Sequence, residues 1–203
     1  MNIAIIGVGN VGGALTKAWA PKGHRLFLGV QDLGKPELAQ YLGDTVTAHS
    51  VPDAAQAAEI IVLALPPAAL QEVCSAMGDI KAKVIIDCAN TMFQKIEGFD
   101  STTQAVQTWT GGANVVKAFN TAGANIIGNT DFGGTVADTY MAGGDDAAKK
   151  IIDRLARDAG FARAVDCGPV ENAKLLEGLA AVWVGLAQNS ALGREFSFKM
   201  LHR

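Results

Sequence analysis

The chain has few of the residues that build extracellular scaffolds, metal centres or nucleic-acid surfaces. Its 203 residues include three cysteines, Cys74, Cys88 and Cys167, far apart and in or beside apolar segments. So placed, they read as buried, reduced thiols of a cytosolic protein rather than as a disulfide framework. Three histidines, His24, His49 and His202, lie at no metal-ligand spacing, so no metal site is expected. Charged residues make up 18% and the net charge is −3, which gives no reason to expect a nucleic acid or an anionic membrane as partner. No apolar stretch reaches membrane-spanning length. A strand pattern opens at residue 2 or 3, leaving no room for a secretion signal, so a cytoplasmic protein is expected. Internal repeats, low-complexity tracts and disordered linkers are also absent.

What is present is hydrophobic content of 49% and 23 glycines, three of them in a telling place. The apolar run Ile3 to Ile6 breaks into Gly7-Val8-Gly9-Asn10-Val11-Gly12, and Val11 to Ala20 has helical spacing. This is the strand, tight turn and helix that hold a dinucleotide pyrophosphate. Gly7 permits the sharp turn, Gly9 removes the side chain that would block the phosphates, and Gly12 lets the helix lie close on the strand. The helix start then faces the anion with unpaired N–H groups and a positive dipole end.

Further strand patterns at 24–28, 45–48, 59–65, 83–87 and 114–118 alternate with helical patterns at 36–42, 52–58, 68–77 and 101–109. That alternation predicts an α/β fold, a doubly wound Rossmann-type parallel sheet covered on both faces. Strands near 135–141 and 162–165 flank a helix over 146–159. Gly168-Pro169 opens a last helix, 170–192, apolar nearly all round and therefore expected to be buried. It reads either as a core helix or as the wall of a cleft or subunit contact, with Phe196, Phe198, Met200 and Leu201 suited to the same two uses. The expected division is a dinucleotide-binding domain over 1–120 and a smaller, mainly helical part over 121–203 that closes the substrate cleft.

In an open sheet of this kind ligands lie outside the carboxyl ends of the strands. Three further loops share that edge with the glycine turn: Leu65-Pro66-Pro67, Cys88-Ala89-Asn90-Thr91 and Phe119-Asn120-Thr121. Asn90 and Asn120 then lie near the nicotinamide end, where their amides suit ribose or carboxamide, though asparagine is also a common turn residue. Lys117 could approach phosphate or substrate, or stand in solvent as a strand-end charge.

With these residues assembled, the chain resembles the deazaflavin-dependent NADP oxidoreductases, which exchange hydride between NADP and coenzyme F420, and the bacterial dinucleotide-binding proteins grouped with them. The matching stretches are Gly7 to Gly12, Ala64-Leu65-Pro66, Ile86-Asp87 with Asn90, the segment Val116 to Thr121, Ala142 to Asp146 and Asp166 to Pro169. The segment VKAFNT is the most specific of them. The resemblance implies a second substrate, a small-molecule electron acceptor, stacked on the nicotinamide in the cleft between the two parts. Such transfer requires chiefly positioning and water exclusion, so no catalytic acid or base is named.

Two departures from the family pattern matter. Members that choose NADP place a hydroxyl residue in the glycine turn and a serine and arginine after the second strand; the matching positions are Val8, Val30 and Gln31. Asp32 could bind ribose hydroxyls as in NAD sites, or merely start a turn, while Lys35 could partly restore the phosphate contact, so the preference between NADP and NAD stays open. Thr91 stands where relatives carry proline, and that loop is expected to be looser. The leading reading is an NAD(P)-dependent oxidoreductase passing hydride to a deazaflavin or flavin. The alternatives are a non-catalytic NAD(P)-binding sensor or partner protein, and a dehydrogenase of small alcohols or imines using Lys117 as proton donor. The apolar last helix would suit a homodimer.

Overall fold

The computed structural model describes residues 1–92 and 95–203. Its strands are β1 (Asn2–Ile6), β2 (Arg25–Gly29), β3 (Val46–His49), β4 (Ile60–Leu63), β5 (Val84–Asp87), β6 (Asn114–Ala118), β7 (Thr139–Gly143) and β8 (Ala164–Asp166). The helices are α1 (Asn10–Trp19), α2 (Val51–Ala57), α3 (Pro67–Ala76), α4 (Thr102–Trp109), α5 (Asp146–Asp158) and α6 (Ala173–Asn189). All eight strands join one sheet in the order β3-β2-β1-β4-β5-β6-β7-β8.

The first six strands pair in parallel, and β4 is buried along its whole length, which is why it reads as a continuous apolar run. Between β6 and β7 no helix carries the chain back, so β7 enters from the edge where β6 ends and pairs with it antiparallel. β8 follows β7 in parallel. The residues after 120 thus extend the same sheet by two reversed strands before adding α6.

Helices cover both faces, as a doubly wound sheet requires. On one face Leu15 and Trp19 of α1 and Ile152 and Leu155 of α5 pack on Ile3, Ile5, Val116 and Ala118. On the other, Ala54 of α2, Leu70 and Val73 of α3 and Val106 of α4 pack on Ala4, Ile61, Leu63 and Ile85. Helices α2, α4 and α5 begin on side-chain caps, Ser50, Ser101 and Asp145, which accept from Asp53 N, Gln104 N and Ala148 N. α1 has no such cap: its N-cap is Gly9.

The last helix departs from expectation. A short 3-10 turn at Val170–Asn172 precedes it, and only one stripe of α6 is buried, comprising Ala173, Leu176, Glu177, Ala180 and Trp183. Leu175 is 61% and Val182 53% exposed. The reason is position: α6 lies at the end of the sheet against Tyr140 and Ala142 of β7, which can cover one side of a helix and no more. The tail beyond α6 folds back. Asp138, fully buried, accepts from Lys199 Nζ at 3.2 Å and from Met200 N at 3.0 Å.

The contact of α1 with the turn before it limits what residue 12 can be. A Cβ on Gly12 would stand 1.9 Å from the Gly7 carbonyl oxygen and 3.2 Å from Ala64 Cβ. Gly12→Ala is therefore expected to destabilise the protein by about 3 kcal/mol through forced separation of α1 from β1, read as a lower urea midpoint.

Candidate functional site

The carboxyl ends of β1, β2, β4, β5 and β6 meet along one edge, and the glycine turn stands at its centre. Gly7 has φ +91°, and a Cβ there would meet the Ala64 carbonyl oxygen at 2.6 Å, so turn and β4 end are packed backbone to backbone. Gly9 differs: its φ is −73° and a Cβ would meet nothing within 4 Å. The residue is exposed, so its open side faces solvent and is not filled by packed side chains. Asn10 and Val11 open α1, whose first N–H groups receive no side-chain cap among the described residues. An uncapped helix start above a cradle free of side chains suits an anion.

A pocket of about 740 Å³ extends from this turn. Gly7, Val8 and Gly9 form one wall, the β2 end with Val30, Gln31 and Asp32 a second, and Leu65 and Pro66 a third. Lys35 also lines it and is the one cationic side chain among the lining residues. Asp32 Oδ1 accepts from Gly34 N at 2.9 Å, so this carboxylate does start the turn. Along the same edge, Asn10, Val11, Gly12, Ala64, Asn90, Ala118, Phe119 and Asn120 lie outside the lining of this pocket.

Those on the β5 and β6 side are drawn together. Asn120 Nδ2 donates to Asn90 Oδ1 at 2.8 Å and to the Leu176 carbonyl of α6 at 3.2 Å, and Asn90 Nδ2 donates to the Asn120 carbonyl at 3.3 Å. Asn120 Oδ1 is buried and has no hydrogen-bond donor among the described residues. Phe119 makes this arrangement by adopting φ +59°, a left-handed conformation that a large side chain takes only under constraint, at about 1–3 kcal/mol. Its ring is wedged edge-on against Trp19 at 5.6 Å. Ala118, fully buried, is core rather than site surface.

Lys117 follows neither course expected of it. It is fully buried, pairs with Asp87 Oδ2 and Glu177 Oε1, each at 2.9 Å, and donates to the Ala89 carbonyl at 2.6 Å. Asp87 and Lys117 are register partners on adjacent strands, so their side chains leave the same face together. Thr102 and Thr103 at the start of α4 donate their hydroxyls to Asp87. Glu177 Oε1 accepts from Thr102 N at 2.9 Å and its Oε2 from Thr91 N at 3.1 Å and the Thr91 hydroxyl. Burial pushes the Glu177 carboxyl up, but the Lys117 charge, with hydrogen bonds from Thr91, Lys117 and Thr102, outweighs it and holds the group below the ordinary glutamate value.

This cluster corrects two expectations. Lys117 is no proton donor to a ligand, because two carboxylates and a carbonyl already take its ammonium. Thr91 itself is tied down without a proline: the N–H that proline would lack donates to Glu177. Glu177 itself went unrecognised in the sequence. Its signal was an acidic residue on the buried spacing 173, 176, 180, 183 of an otherwise apolar helix. Cys88, fully buried at this edge, has its thiol pushed up by burial and by the charge of Asp87, which leaves it inert as a nucleophile.

The fold defines the class, an α/β protein with a doubly wound, mostly parallel sheet whose last helix docks on the carboxyl edge. Residues 2–91 match the family model described as NADP oxidoreductase coenzyme F420-dependent. By that match the first part of the chain is similar to the F420-dependent NADP oxidoreductases. Similarity continues beyond it: the F420-dependent NADP reductase of Methanothermobacter thermautotrophicus is 27% identical over 92% of this chain and 89% of its own. A crystal structure from Arthrobacter sp. FB24, provisionally assigned as an F420-dependent NADP reductase, superposes over the whole of both chains with a TM-score of 0.87 at 28% identity. A hypothetical protein from Sinorhizobium meliloti covers all of this chain with a TM-score of 0.74 at 25% identity.

Removing the cation from the cluster would leave two buried carboxylates facing one another. Lys117→Ala is expected to lose about 3–5 kcal/mol at neutral pH in urea denaturation. A carboxyl held below its unfolded value contributes stability that is complete above that value, 4.5 for glutamate, and lost as pH falls through the lower native one. The gap between wild type and Lys117→Ala should accordingly narrow on acidification.

Proposed function

We propose that the protein is an NADP-dependent oxidoreductase that moves hydride between the nicotinamide of its cofactor and a deazaflavin, coenzyme F420. The observation that carries this reading is the Gly9 cradle, open and backed by an uncapped helix start, in a chain related over nearly its whole length to reductases of that name. Gly7, Val8, Gly9, Asn10, Val11 and Gly12 would hold the pyrophosphate. Val30, Gln31, Asp32, Lys35, Leu65 and Pro66 would hold the adenosine end, with Lys35 taking the 2′-phosphate in place of the missing guanidinium. Asn90 and Asn120, with the backbone of Ala64, Ala118 and Phe119, would face the nicotinamide end. Asn120 Oδ1, an acceptor without a donor among the described residues, suits a carboxamide N–H.

When bound, the cofactor supplies the hydride itself, so the chain has to orient two planar rings and exclude water between them. That requirement agrees with an edge whose lysine is consumed in structure. A small-alcohol or imine dehydrogenase would need that lysine free, whereas here it is buried against two carboxylates. The whole-length relatives named by an activity are reductases, which gives no support to a non-catalytic sensor. A flavin acceptor remains the neighbouring case, to be separated by direct comparison of acceptors. The protein would work in the cytoplasm as a homodimer, the second copy covering the exposed stripe of Leu175, Val182 and Leu186 on α6.

Purified protein with NADPH is expected to reduce coenzyme F420, followed by loss of F420 absorbance, faster than it reduces flavin. No turnover above a protein-free control with any acceptor would refute the assignment. In the same titrations Gly9→Ala should fold normally and bind NADPH about tenfold more weakly, equivalent to about 1.4 kcal/mol, whereas Lys35→Ala should weaken NADPH selectively over NADH. Light scattering should read twice the 21.1 kDa chain mass; a monomer at micromolar concentration would refute the dimer.

A further inference from the structure

The buried cluster is unbalanced. Asp87 and Glu177 bring two carboxylates to a single ammonium, Lys117, and all three groups are at most 5% exposed. Another pair involving α6, Lys174 with Asp100 at 2.9 Å, is exposed and neutral in sum. Three hydroxyls, of Thr91, Thr102 and Thr103, and the backbone N–H groups of Ala89, Thr91 and Thr102 point donors at the carboxylates. They stabilise the excess negative charge without cancelling it.

That charge stands directly behind the Asn90–Asn120 pair. Thr91, next to Asn90, is bound by Glu177, and Asn120 is bound by the carbonyl of Leu176, the preceding residue of the same helix. A fold that needed only to dock α6 here would be served by one carboxylate opposite one ammonium, since an unmatched buried charge is costly. We propose that Glu177 supplies the surplus negative charge that biases the site toward the oxidised, cationic nicotinamide, and so favours hydride donation by the reduced cofactor. This rests on the placement of the nicotinamide at the Asn90–Asn120 end given under Proposed function. Oxidation of the dihydronicotinamide converts a neutral ring to a pyridinium cation, so a fixed negative charge nearby discriminates between the two forms by Coulomb energy alone. Over about 10 Å at an effective dielectric constant of about 20, one unit of charge changes such a ratio roughly tenfold.

Glu177→Gln tests this without requiring turnover. It keeps the shape and leaves Asp87 opposite Lys117, so the fold is expected to survive, checked by melting temperature. NADPH affinity, read by its fluorescence, should change little, while NADP+ affinity, read by calorimetry, should fall roughly tenfold. If the variant fails to fold, Asp87→Asn removes the same unit of charge from the strand side and must shift the ratio in the same direction. An unchanged ratio, or equal loss for both forms, overturns the proposal and reduces Glu177 to a docking residue. A wild-type protein that binds neither form overturns the dinucleotide reading itself, a different result from an unmoved ratio.

Discussion

The ion cluster of Lys117, Asp87 and Glu177 is the interaction on which the carboxyl edge depends. It joins β5, β6, the start of α4, the Thr91 loop and α6 at one buried point, and each contributes a group that would be an unpaid polar burial without the others. A lysine ammonium in the interior is tolerable only where acceptors surround it, and here two carboxylates, a carbonyl and a threonine hydroxyl do so. The consequence is architectural. α6 cannot leave the sheet without stranding charge, so the side chains it orients are held with it.

The two ends of the edge are built on opposite principles. At the glycine turn the design is one of absence: Gly9 carries no side chain and α1 no side-chain cap among the described residues, an arrangement that would leave backbone N–H groups to an anion. At the β5 and β6 ends it is one of saturation, with Asn90, Asn120 and Thr91 each held by specific partners and Phe119 forced into a left-handed turn to make the geometry. A pyrophosphate needs space and dipoles, whereas a ring that must meet a second ring needs fixed walls.

Much of the sheet was legible in advance because its signals are local. The apolar runs of β1, β4, β5 and β6, the proline after β4 and the Gly7 to Gly12 spacing each follow from neighbouring residues, and the observed strands fall within a few positions of those expected. The reversed direction of β7 and β8 was less accessible, since it depends on the missing crossover helix after β6 rather than on any residue within the strands. At the site, the glycine turn and Val30, Gln31 and Asp32 line one pocket because each follows directly on one of two neighbouring parallel strands. The roles of Lys117 and Glu177 were not legible, because a charge in a strand and a charge in an apolar helix read separately as a surface lysine and an anomaly.

By itself the sequence determined the turn, the alternation of strand and helix, and the residue types available at the carboxyl edge, all of which follow from backbone freedom, side-chain volume and periodicity over a few residues. The tertiary structure decided which charges meet. Glu177 lies 86 positions from Thr91 and 75 from Thr102, and no local pattern pairs residues at such separations. It decided equally that α6 buries one stripe and exposes the other, because what covers a helix is set by the element beside it in space, here the penultimate strand of the sheet.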